Sequence, residues 1–287
     1  MTERPRRSVL YMPAANPRAL EKAKDLPCDA IIFDLEDAVA PESKELAREQ
    51  AVAAVTSGEY GSRELTIRCN GLNTPWGSED LAAAGAAAPA AVVIPKVDST
   101  AYLGEIAARL DSAGAVATSI WAMVETPTGI LDVRQLASHA RVEALVLGTN
   151  DLARELRAPL IPGRSNLLPH LMTTILAARE AGKVVLDGVY NDVRDADGFA
   201  AECRQGVELG FDGKTLVHPS QVQPANDAWS PSDEEIEWSR RVIDAFAAGE
   251  AEGLGVVTVD GRMIEHLHVA MARRTLALAD AIDATRF

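Results

Sequence analysis

Acidic residues recur in this sequence where short aliphatic runs end. FDLED gives Asp34, Glu36 and Asp37, MVETPTG gives Glu125, and LGTND gives Asp151. Basic and amide groups stand at other such ends: Arg68 and Asn70 in IRCNG, Lys96 in IPK, Lys214 and His218 in GKTLVHP. Carboxylates grouped without histidine or cysteine suit a hard cation. Oxygen-only ligation favours magnesium, with manganese as the alternative. Magnesium keeps several waters, so two direct carboxylates suffice, and the acids of FDLED would hold those waters. Zinc is not expected, because His139, His170 and His218 are scattered and His266 and His268 lie only two apart on a helix. Each group also has an ordinary alternative. Asp34 or Asp37 could cap a loop, Arg68 could pair with the strand 2 acids, and Asp151 could be a helix N-cap. Lys96 and Lys214 could be solvated, and His218, before Pro219, suits a loop. Their coincidence favours a site, since such groups are costly together in a barrel mouth unless paired or metal-bound.

The elements that must position these residues follow from periodicity. Strands are expected at residues 9–12, 30–35, 65–69, 91–95, 120–124, 144–147, 184–186 and 215–217. AVVIP and ALVLG are continuously apolar, as in strands buried on both faces. Helices alternate with them. Asn16-Pro17 puts proline at a first helical position. Ser78 precedes 79–86, Ser99 precedes 101–110, 167–181 ends at Gly182, and Asp192 precedes a stretch that Gly210 ends. Parallel neighbours need such crossovers, and eight strands close a barrel. An open doubly wound sheet has no GxGxxG after the first strand to support it. The expectation is a (β/α)8 TIM barrel over residues 1–249, with its chemistry at the C-terminal strand ends, where the acids fall.

After a helix at 234–248 the pattern changes. Residues 250–255 are polar and glycine-rich, and 256–259 with Asp260-Gly261 read as a strand entering a turn. A helix is expected at 263–281. Residues 250–287 are therefore read as a C-terminal helical lid or oligomerisation segment, too poor in apolar residues for a core of its own.

The formal net charge of -14 excludes a basic footprint, so nucleic acid is not an expected partner. An anionic substrate would have to be met locally, by a metal or a few basic side chains. Three cysteines without a CxxC pair fit a reducing, cytoplasmic compartment. The apolar stretch at 9–12 is too short for a signal segment, and no run approaches the roughly 20 apolar residues of a membrane span.

FDLEDAV, TIRCNGL, VVIPKVDS, MVETPTGI, LGTNDLA and KTLVHPSQV, in this order, resemble the citrate lyase beta-subunit-like group. That group lies within the HpcH/HpaI aldolase/citrate lyase family, with malyl-CoA and citramalyl-CoA lyases. The resemblance spans about residues 8 to 285. It implies a homotrimeric or hexameric barrel, with magnesium held by Glu125 and Asp151. It assigns roles to Arg68 and to the acidic pair Glu36 and Asp37. It also implies coenzyme A binding by the stretch YMPAANPRALEKA, with Arg18 and Lys22 as phosphate contacts and a helix start offering backbone N–H groups. Relatives with a lid carry aspartate in a GxMxD pattern, given to a neighbouring subunit's site. Here the segment is Gly261-Arg262-Met263-Ile264-Glu265, so the acid is one methylene longer.

The resemblance implies cleavage or formation of a carbon–carbon bond in a 3-hydroxy-carboxyacyl-CoA such as malyl-CoA or citramalyl-CoA, giving an acyl-CoA and a 2-oxo acid. Arg68 would face the enolate, and Glu265 would transfer the proton at carbon. Alternatives are a metal-dependent aldolase on free 2-oxo acids, an acyl-CoA thioesterase, and a citrate lyase beta subunit needing an acyl carrier protein. A Schiff base on Lys96 or Lys214 is disfavoured by the surrounding acids. Trp76 and residues 157–166 are further candidates to shape the pocket.

Overall fold

The computed structural model describes residues 4–285. Residues 6–228 form one compact unit, and the described residues from Trp229 onward, with 4 and 5, form another. In the first unit β1 (Ser8–Pro13), β2 (Ala30–Asp34), β3 (Glu64–Arg68), β4 (Ala91–Ile94), β5 (Ser119–Val124), β6 (Val142–Leu147), β7 (Val184–Asp187) and β8 (Gly213–Leu216) pair in parallel. β8 pairs back onto β1, closing the barrel. The aliphatic runs thus sit where the sequence places them, and helices fill the connections.

Alternation along each strand decides what points inward. The barrel core contains Val9, Ala30, Ile32, Ala91, Val93, Trp121, Met123, Ala144, Val146 and Leu186. Trp121 is fully buried, and the small residues Ala30, Ala91 and Ala144 share the core with it, large beside small. Below it Arg6 holds Glu64 at 2.6 Å and Glu143 at 2.5 Å while stacking over the Trp121 ring at 5.3 Å. Continuing each inward series by two residues toward the strand ends gives Asp34 after Ile32, Arg68 after Thr66, Glu125 after Met123 and Gly148 after Val146. The core's own period therefore delivers these groups to the barrel mouth.

The second unit contains a helix at Asp233–Ala251, a hairpin of β9 (Val257–Val259) and β10 (Arg262–Ile264), and a helix at His266–Ala284. Ser232 and Glu235 form a reciprocal cap at the first helix start. Val242, Phe246, Val259, Ile264, Val269 and Ala272 make a small core. The apolar residues of the last segment share this core with Val242 and Phe246 of the helix Asp233–Ala251, which runs past residue 249. One expectation changes here. Met263 lies in β10 rather than in a helix, because the Asp260-Gly261 turn returns the chain as a second strand. No described helix is long and apolar enough to cross a membrane.

Candidate metal centre at the barrel mouth

Glu125 and Asp151 come from adjacent strand ends. Glu125 follows β5 and is 2% exposed. It stands opposite Gly148, whose N–H donates to the Val124 carbonyl at 3.2 Å. A Cβ built on Gly148 would collide with the Glu125 carboxylate, so this glycine is the cradle that lets the carboxylate occupy the mouth. Asp151 lies in the first turn of the helix Thr149–Glu155, whose N-cap is Gly148. It is thus not the N-cap, and its carboxylate instead pairs with Arg154 at 2.7 Å and more loosely with Lys96 at 3.8 Å.

The remaining contacts of Glu125 come from β4. The Lys96 backbone N–H donates to Glu125 Oε1 at 2.8 Å, and Lys96 Nζ stands 3.5 Å from Glu36. Burial, then the charges of Asp151 and Glu36, push the Glu125 carboxyl up to about 7, against the pull of Lys96. Burial likewise raises Glu36 in spite of Arg68. Burial opposes the charge on Lys96, but Glu36, Glu125 and Asp151 outweigh it and hold the ammonium above its ordinary value. A lysine held charged is a poor Schiff-base nucleophile.

Arg68 is locked against the strand 2 acids. Its Nε and Nη2 donate to the two carboxylate oxygens of Asp34 at 2.7 and 2.6 Å, and Nη1 pairs with Glu36 at 2.8 Å. Asp37 is mostly exposed and 3.8 Å away. The guanidinium stacks on the Tyr11 ring at 4.7 Å. The ion-pair alternative for Arg68 is thus realised, within the mouth itself.

Lys44, at the start of the helix Lys44–Thr56, is a buried support that the sequence reading missed. Its Nζ donates to the carbonyls of Leu35 and Glu36, each at 2.7 Å, and to Asn70 Oδ1 at 2.9 Å. It also lies 5.1 Å from the Trp76 ring, which gives Trp76 a packing role. Lys44 therefore fixes the loop that carries Glu36 and Asp37. A pocket of about 240 Å³ opens beside this loop, lined by Glu36, Gly71, Asn73, Thr74, Lys96 and Tyr102 among others.

Other expected residues lie apart. Lys214 follows inward Gly213 and precedes inward Thr215, so it faces the surrounding helices. It is fully buried, and its three N–H bonds go to Asp187, the Gly188 carbonyl and Glu202. It is neither a solvated rim charge nor a free amine. His218 caps a turn, its Nδ1 accepting from the Ser220 N–H. Arg18 and Lys22 are exposed on the seven-residue helix Pro17–Ala23 after β1. Asn16 already takes the Ala19 N–H at that helix start. The helix expected after Asp192 begins at Ala196, because Asp195 is the cap that accepts the Gly198 N–H. Glu265 is half-buried in the second unit, directly before the last helix, and its N–H donates to His268 Nδ1 at 3.0 Å.

The donor set fits magnesium. It offers carboxylate oxygens without nitrogen or sulfur, one of them so buried and so repelled by its neighbour that a cation would relieve both costs. Among the described residues no group of three or more His, Cys, Asp or Glu side chains is arranged to cage an ion. An ion held by Glu125 and Asp151 would keep several waters, as magnesium does.

Residues 7–219 match the HpcH/HpaI aldolase/citrate lyase family. The chain is 47% identical to a (3S)-malyl-CoA thioesterase of Cereibacter sphaeroides over 282 residues, 98% of this chain and 97% of that protein. It is 34% identical to the citrate lyase subunit beta of Escherichia coli over 285 residues, covering 96% and 94% of the two chains. Among solved structures it resembles protein CitE of Mycobacterium tuberculosis in complex with magnesium, acetoacetate and coenzyme A. That likeness has a TM-score of 0.77 at 29% identity, over 95% of this chain and 97% of the other.

Proposed function

The chain is an enzyme of the HpcH/HpaI aldolase/citrate lyase family, and we propose that it is a magnesium-dependent enzyme for a 3-hydroxy-carboxyacyl-CoA of the malyl-CoA class. The observation that carries this reading is the buried Glu125 carboxylate, cradled at Gly148 and repelled by the half-buried Asp151 beside it. Those two residues would hold the metal, with manganese as a substitute. Magnesium bound there supplies Lewis acidity toward the carboxylate and hydroxyl oxygens of the substrate. Arg68, held rigid by Asp34 and Glu36, places fixed positive charge where an oxyanion or enolate oxygen develops. Glu36 and Asp37 orient Arg68 and the waters of the site. Arg18 and Lys22 bind the phosphates of coenzyme A, and Glu265 of a neighbouring subunit moves the proton.

Of the two bonds such a substrate can lose, the thioester is favoured by the relative named as a thioesterase, at 47% identity over almost the whole chain. Glu265 then acts as base toward water, and Arg68 meets the tetrahedral oxyanion. Carbon–carbon cleavage to an acyl-CoA and a 2-oxo acid is the second reading, favoured by the citrate lyase relative. There Arg68 meets the enolate and Glu265 protonates its carbon. A homotrimer or hexamer and a cytoplasmic location complete the proposal. The three buried free cysteines support a reducing compartment.

Purified protein given malyl-CoA, citramalyl-CoA or citryl-CoA tests this. The expected result is magnesium-dependent release of free coenzyme A thiol from malyl-CoA. EDTA should abolish it, and Glu125→Ala should lower it by at least about 10³-fold. Release of a 2-oxo acid with an acyl-CoA selects the second reading. No turnover of any of the three thioesters overturns the substrate class, and unchanged turnover in Glu265→Gln overturns the role of Glu265.

A further inference from the structure

Lys96, two residues past β4, has a left-handed conformation, φ +49°, that a residue with a Cβ seldom adopts. Two hydrogen bonds to β5 and its end hold it there. Its own N–H donates to Glu125 Oε1 at 2.8 Å, and the next N–H, of Val97, donates to the Met123 carbonyl at 3.3 Å. The unusual backbone thus aims one amide at the buried carboxylate.

The side chain then turns toward the same acids. Nζ stands 3.5 Å from Glu36 and 3.8 Å from Asp151, and the side chain is 42% exposed. These separations are too long for close hydrogen bonds, so the ammonium is shared between two carboxylates and locked to neither. Lys214 makes the contrast: it is fully buried and makes three contacts of 2.6 to 2.9 Å. Lys96 can leave to water at little cost, whereas Lys214 cannot. The other cation on Asp151, Arg154 at 2.7 Å, is 62% exposed.

We propose that Lys96 is a positioning residue of the cation site with two separable parts. Its backbone N–H fixes Glu125, and its ammonium is a placeholder charge between Glu36 and Asp151 that a divalent cation displaces on binding. The proposal rests on the reading of Glu125 and Asp151 as cation ligands. Without a placeholder, the carboxylates of the metal-free mouth would repel one another. With one, the mouth stays closed up in shape for the ion, and ion and ammonium compete for the same carboxylates. Because the coupling is reciprocal, removing the ammonium must tighten cation binding.

Manganese titrations followed by the electron paramagnetic resonance of the free ion test this without turnover. The proteins compared are the parent chain, Glu125→Gln, Lys96→Met, Lys96→Arg and Lys96→Gly, at low ionic strength. The parent should bind manganese, and Glu125→Gln should not. Lys96→Met should bind about tenfold more tightly than the parent, a gain that shrinks as salt is raised. Lys96→Arg should restore the parent affinity. Lys96→Gly adopts positive φ without strain and keeps the N–H, so it should match Lys96→Met even if the methionine variant folds poorly. Affinity equal to or below the parent in both Lys96→Met and Lys96→Gly, with parent binding still dependent on Glu125, overturns the placeholder and leaves the cation site standing. Absence of manganese binding in the parent overturns the cation site and the placeholder together.

Discussion

Two clusters of buried acids lie near the C-terminal end of this barrel, and they are settled in opposite ways. Outside the strands, Asp187 receives Arg164 at 2.6 Å, Lys214 at 2.9 Å and the Gly188 N–H at 2.8 Å. Glu202 takes Lys214 from the other side at 2.7 Å. Burial pushes the Asp187 carboxyl up, but the charges and hydrogen bonds of Lys214 and Arg164 outweigh it and hold it below the ordinary value. In the mouth, Glu125 is equally buried, yet it faces Asp151 and Glu36, and its carboxyl rises to about 7. Charge matched inside the fold is structure. Charge left in excess inside the fold is what the proposed cation would match.

The largest expected effect separates the clusters by the sign of a stability change. Lys214→Met leaves Asp187 and Glu202 with too little positive charge and should cost about 3–5 kcal/mol, a fall in Tm of roughly 10 °C. Glu125→Gln keeps an acceptor for the Lys96 N–H and removes repulsion from Asp151. It should raise the Tm of the metal-free protein by about 2–4 °C while abolishing metal binding and turnover. Thermal melts in EDTA read both. Loss of Tm in Glu125→Gln would show that the mouth, too, is matched internally.

A smaller effect sharpens the steric side of the same contrast. Gly148 has an ordinary negative φ of -98°, so Gly148→Ala carries no backbone penalty. Its cost is the collision with Glu125, at both the carboxylate and the Cβ. Magnesium affinity by calorimetry should fall by at least about tenfold, with a stability loss of about 1–3 kcal/mol. Unchanged affinity would mean that Glu125 need not sit where it does.

The barrel was legible because most of its strands are short aliphatic runs, and the placement of Glu125 and Asp151 beyond adjacent strands because they follow two of those runs. What was not legible has a common physical cause. A strand buried on both faces shows no apolar–polar alternation, so GKTL gives no sign that Lys214 turns toward the helices while Thr215 turns inward. A lysine at a helix start carries no local sign of burial, and only the partners of Lys44, among them the Leu35 and Glu36 carbonyls, reveal it as a buried brace. The left-handed Lys96 is not a glycine, so nothing local marked it. Met263 falls within the helix expected at 263–281, although the preceding Asp-Gly turn calls for a second strand.

The smallest expected effect is on the pH dependence of stability, where the two clusters should slope in opposite directions. Asp187 is depressed in the fold, so its stabilisation is complete above the unfolded value of about 4 and is lost as pH falls through the folded value. Glu125 is raised, so the folded protein holds a proton between about 4.5 and about 7 that the unfolded chain has released. Metal-free protein should therefore lose stability as pH rises through that interval, with further loss below it as Asp187 protonates. Magnesium at saturating concentration should flatten the upper slope, because the ion replaces the proton on Glu125. It should leave the acid limb untouched, since Asp187 takes no part in the site. Tm measured from about pH 2 to about pH 8, with magnesium and with EDTA, reads both limbs at once. An upper slope that magnesium does not alter would sever the link between the raised carboxyl and the cation, and would leave Glu125 as a buried acid like any other.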